Sequence, residues 1–83
     1  MANPYMQPQA NKTRIAILVF IKGSAAPIVL YTENPITVYE ELKKAVETGQ
    51  NKLYEKECIG PIKKVSLMTG QIAALGIQEE PCL

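Results

Sequence analysis

Seven consecutive apolar positions, Ile15 to Ile21 ("IAILVFI"), open the patterned part of the chain, and β-branched or aromatic residues dominate them. This predicts a strand, and one that seeks cover on both faces, because the run is continuous instead of alternating. "KGS" then reads as a turn. "APIVLYTE" follows as a second strand, with Pro27 at its start, where a missing backbone donor matters least.

In "NPITVYEELKKAVETG" the period changes to that of a helix. Val38, Leu42, Ala45 and Val46 fall on one stripe. Thr37 and Glu40 have the spacing of a capping box, and Gly49 supplies a left-handed C-terminal residue. The eleven residues between Thr37 and Gly49 are the predicted helix. Glu40 with Lys44, and Lys43 with Glu47, are spaced to pair on its wet side.

Beyond Gly49 a meander is predicted. "KLYEKECI" and "IKKVSLM" flank Gly60-Pro61, a two-residue turn with glycine first. That turn sets Ile59 against Ile62, Cys58 against Lys63, Glu57 against Lys64, Lys56 against Val65 and Tyr54 against Leu67. Thr69-Gly70 is read as a second turn into "QIAALGI", setting Leu67 against Ile72 and Val65 against Ala74 on a two-residue loop. A three-residue loop would exchange the faces of this last strand. The fold class is therefore α+β, β-β-α-β-β-β: a single antiparallel-rich sheet with one amphipathic helix packed on one face. The domain covers 13–80. Residues 1–12, rich in Asn, Gln and Pro, read as a flexible N-terminal arm, and 81–83 as a tail.

One helix cannot shield both sides of such a sheet. Leu18, Phe20, Met68, Ala73, Leu75 and Ile77 are expected on the uncovered side, a candidate self-interface for a homodimer. The competing expectation is that the arm folds back and lays Tyr5 and Met6 over it.

Charge and composition narrow the chemistry. The 83 residues carry eight Glu, eight Lys and Arg14, for a net charge of +1, with no His, Asp or Trp. Without His the usual general base and the commonest metal ligand are missing, so neither an enzyme nor a cofactor or metal is expected. Lys52, Lys56, Lys63 and Lys64 gather near Tyr54 as candidate nucleic-acid contacts. Glu55 and Glu57 interleave with them, and the near-neutral charge argues against that partner. A small apolar-ligand pocket between helix and sheet would be lined by Leu42, Val46, Tyr54 and Val65, but residues at such spacing are more often plain core.

Cys58 and Cys82 read as free thiols in a reducing cytoplasm, Cys58 packed and inert. The layout around Ile15–Ile21 mimics a signal peptide. Lys22 interrupts it, however, and cleavage would discard the most apolar segment. No run reaches the roughly 20 apolar residues of a membrane helix, and "PCL" lacks the prenylation spacing. What remains is a non-enzymatic interaction or assembly module that binds itself, or another protein, by an apolar face or a sheet edge.

Overall fold

A computed structural model describes residues 12–82. The arm expected over 1–12 therefore lies, but for Lys12, outside the described residues, as does Leu83 of the tail. The elements run β1 (Thr13–Ile21), β2 (Ile28–Leu30), α1 (Pro35–Thr48), β3 (Leu53–Glu57), β4 (Lys64–Met68) and β5 (Ile72–Pro81), with a 3-10 turn at Thr69–Gln71. This is the expected α+β order with one helix.

All strand pairs are antiparallel. They form two ladders, β2-β1-β5 and β3-β4. A single bridge ties the ladders together: the Ile59 N–H donates to the Tyr31 carbonyl at 2.7 Å, beside the open edge of β2.

The β3–β4 hairpin has the register that its turn predicts, with Tyr54 on Leu67, Lys56 on Val65 and Glu57 on Lys64. The Cys58 N–H continues it onto the Lys63 carbonyl at 2.8 Å. The expected Ile59–Ile62 pair does not form, because Ile59 turns to Tyr31 instead.

The last strand departs from expectation. β5 does not pair with β4, so Leu67 does not meet Ile72, nor Val65 Ala74. It lies along β1, from Thr13 on Pro81 to Ile21 on Ile72, with a bulge after Phe20. Thr69 causes the diversion. Its hydroxyl accepts the Lys52 N–H at 3.0 Å and donates to the Gln50 carbonyl at 2.8 Å, and its own N–H reaches the Lys52 carbonyl at 2.9 Å. Gly70 N–H adds a bond to Asn51 Oδ1 at 2.9 Å. The turn is thereby fastened to the loop after the helix instead of closing a tight hairpin. It delivers the chain to β1, where nine residue pairs are available against the five that β4 could offer.

The helix begins earlier than the capping box implies. Pro35 occupies the first turn, Asn34 is the N-cap, and no side chain caps it, so Thr37 is not the cap. Proline suits that place because its missing N–H would be unpaired there anyway. Gly49 closes the helix at φ 72°, its N–H on the Val46 carbonyl at 3.1 Å. On the wet side Lys43 meets Glu40 at 3.7 Å, a spacing one residue shorter than in the expected pairings.

Val38 and Leu42 carry the helix onto a core of Ile17, Val19, Leu30, Val65, Leu67 and Ile72. Ala45 is half-buried and Val46 is 41% exposed, so the N-terminal half of the stripe does most of the covering.

Candidate functional site

Strand pairing decides which side chains share a face, since directly opposed residues in an antiparallel ladder point the same way. Ile17 and Val19 are core residues facing the helix. Their β5 partners Ile77 and Leu75 therefore lie on the helix side too. Leu75 packs against the core, and Ile77 stands at the margin, 41% exposed. Neither belongs to the uncovered face. The expectation failed because it took the register of β5 from β4.

Met68 is opposed to Leu53 on the outside of the β3–β4 hairpin, 40% exposed, away from the β1–β5 ladder. Ala73 is the extra residue at the bulge, exposed and without a β1 partner of its own. Of the six candidates only Leu18 and Phe20 occupy the outer face. They share it with Val29 and Ala74, their cross-strand neighbours, and Leu18 packs beside Gly76.

The outer face has two halves. At the apolar half Phe20 is 37% exposed, Leu18 and Val29 are half-buried, and Ala74 is open. The other half is polar and well bonded. Arg14 lies over the Tyr31 ring, 4.1 Å from its centroid, and its Nε meets Glu80 Oε1 at 3.3 Å. Tyr31 donates its hydroxyl to the same oxygen at 3.0 Å, and Gln78 donates to Glu80 Oε2 at 2.9 Å.

The Tyr31 bond, with smaller help from Gln78 and Arg14, holds the Glu80 carboxyl below the usual range against some desolvation. The same bond raises the Tyr31 phenol. Beneath this cluster Ala16 is fully buried. Sequence reasoning passed over the cluster, for residues 14, 31 and 80 carry no local motif and meet only through the β1–β5 register.

The four lysines do not form one surface. Lys56 shares the helix-facing side of its hairpin with Tyr54 and binds Glu41 at 3.6 Å, whereas Lys64 opposes Glu57 on the other side. Lys52 and Lys63 lie outside the strands. Tyr54 is half-buried and donates to Glu41 at 2.8 Å. Burial first, and then that bond, keep its phenol well above the ordinary range.

The expected ligand pocket is filled: Leu42 is fully buried, Val65 is 7% exposed, and both belong to the core with Tyr54 packed against it. An open cleft of about 320 Å³ lies instead at the start of the helix, lined by Thr32, Thr37, Val38, Lys56, Cys58 and Ile59 among others. The Thr32 hydroxyl is buried and has no hydrogen-bond partner among the described residues.

Both cysteines are free. Burial pushes the Cys58 thiol up, outweighing the Val65 backbone bond and the Lys56 charge. Among the described residues there is no group of three metal-binding side chains, and no helix is long and apolar enough to cross a membrane.

Comparison with known proteins adds no label: no family model, curated protein or solved structure matches the chain.

Proposed function

We propose that this chain is a non-enzymatic assembly module of the cytoplasm that associates with a second copy of itself through the outer face of its three-stranded sheet. The observation that carries the reading is the apolar half of that face: Leu18, Phe20, Val29 and Ala74, adjacent on three strands and covered by no described element.

An isologous contact buries the patch twice. Three large side chains per copy, already partly buried, gain about 1 kcal/mol each, or roughly 6 kcal/mol in all. Association costs about 4–15 kcal/mol. The face alone therefore holds a dimer only at the low end of that cost, and then weakly, by about 2 kcal/mol.

Light scattering across a concentration series at two salt levels tests this. The expected result is a mass that climbs to twice the monomer independently of salt, and a Phe20→Glu variant that stays monomeric. A parent protein that remains monomeric at the highest concentration overturns the proposal.

A further inference from the structure

Among the described residues β5 pairs on one side only, so its other edge has no described partner along ten residues. The hydrogen bonds identify which backbone groups face outward. Cys82 N–H donates to the Lys12 carbonyl at 2.9 Å, which makes that a hydrogen-bonded pair. Partner roles alternate along an antiparallel ladder, so Glu80, Gln78, Gly76 and Ala74 also bond to β1. Leu75, Ile77 and Glu79 then turn both N–H and C=O away from the sheet. On one flank the bulge at Ala73 bounds this outward set, and on the other Pro81 does, having no N–H to offer.

Proteins usually blunt such an edge with lysine, proline or an inward charge. Between Ile72 and Gln78 there is none of these. Beside the edge, on the helix side, lie apolar groups: Ile77 is 41% exposed and Leu75 half-buried.

We infer that β5 pairs edge to edge with β5 of a second copy, antiparallel about a two-fold axis at Ile77, joining two three-stranded sheets into one of six strands. The outward set is what selects this occupant. Leu75, Ile77 and Glu79 are spaced symmetrically about Ile77, so two copies satisfy each other. Ile77 meets Ile77 of the mate, and each Leu75 meets the mate's Glu79 along its aliphatic stem. The bulge of one copy falls opposite the proline of the other, so the ladder ends where neither chain has a bond to give.

The pairing rests on the self-association proposed above but joins a different pair of copies, because it sets both outer faces on the same side of the six-stranded sheet; a mass beyond twice the monomer would mark both contacts together.

Amide hydrogen exchange read residue by residue, at low and high protein concentration, separates the two contacts. Amides of Ala74, Gly76 and Gln78 should be protected at both concentrations. Those of Leu75, Ile77 and Glu79 should exchange freely when dilute and become at least ten-fold slower when concentrated. In Ile77→Lys, which sets two lysines face to face, that concentration-dependent protection should vanish while the even-numbered amides stay slow, showing that the fold is intact. Glu79→Pro removes one outward N–H and keeps the backbone bonds to β1, giving up only the exposed Thr13 hydroxyl's bond to the Glu79 carboxylate, and should weaken the dimer likewise. A dimer by light scattering whose odd-numbered amides exchange equally fast at both concentrations overturns the edge pairing and leaves the face contact standing. A monomer at all concentrations overturns both.

Discussion

Two threonines of this protein are buried alike and bonded oppositely, so one substitution made at each should shift stability in opposite directions. Thr32 is 8% exposed and its Oγ1 has no partner; Thr69 is 2% exposed and its hydroxyl accepts one bond and donates another. Valine keeps the branched shape and loses only the polar atom. At Thr32 it removes a buried group left unsatisfied, a defect worth about 1–3 kcal/mol, so Thr32→Val should gain on the order of 1 kcal/mol. At Thr69 it deletes two hydrogen bonds of about 0.5–1.5 kcal/mol each and unfastens the turn that sends β5 to β1, so Thr69→Val should lose about 1–3 kcal/mol.

Urea unfolding at one fixed protein concentration is the assay, because self-association would otherwise shift the midpoint. A gap of about 2–4 kcal/mol between the variants is expected. In a domain of this size each kcal/mol moves Tm by about 4–8 °C, so thermal melts should order them identically. If Thr32→Val is less stable than the parent, its hydroxyl has a partner in solution and the reasoning fails.

Three further outcomes follow from the geometry. Gly60 has φ 88°, and a Cβ there would stand 3.1 Å from the Tyr31 ring, so Gly60→Ala should cost about 1–3 kcal/mol of stability in urea; an unchanged midpoint would refute this. Glu80 is depressed below its ordinary value of 4.5, chiefly by Tyr31, so its contribution is whole above that pH and lost as pH falls through the folded value. Tyr31→Phe removes the largest cause, so the loss of stability between about pH 6 and about pH 3 should be smaller in the variant than in the parent, and equal losses would count against it. In a Cys82→Ala background, Cys58 should react with iodoacetamide at neutral pH several-fold more slowly than it does in urea, since burial raises its pKa; labelling as fast as in the unfolded chain would contradict the packed thiol.

What was legible in the chain was local. The Gly60-Pro61 turn and the alternation on either side of it settle the β3–β4 register, because turn length leaves only one pairing in phase. Gly49 marks the helix end for an equally local reason, while the Thr37–Glu40 spacing sets the start three residues late, because Pro35 already occupies the first turn. β5 was not legible. "IAAL" does not alternate, so its faces cannot be told from its own residues, and its partner strand is remote in sequence. With that register went Leu75 and Ile77 from the candidate face. The Arg14–Tyr31–Glu80 cluster was likewise hidden, for three separate elements must be aligned before it exists.

The central place of β1 has a consequence for how the protein is made. Of the described elements β1 is synthesised before all the others, yet the strand that completes one of its sides comes after them all, and Thr13 bonds a residue 66 positions away. Until that strand emerges from the ribosome, the most apolar segment of the chain has one open flank and only the three residues of β2 on the other. Long-range pairing of this kind places the fold toward the slower, millisecond-to-second class of small domains. Whatever protects Ile15–Ile21 during that interval must come from the hairpin with β2 and the helix that follows, or from a chaperone. The cell therefore handles this chain, for part of its synthesis, as a sticky strand in search of its second neighbour.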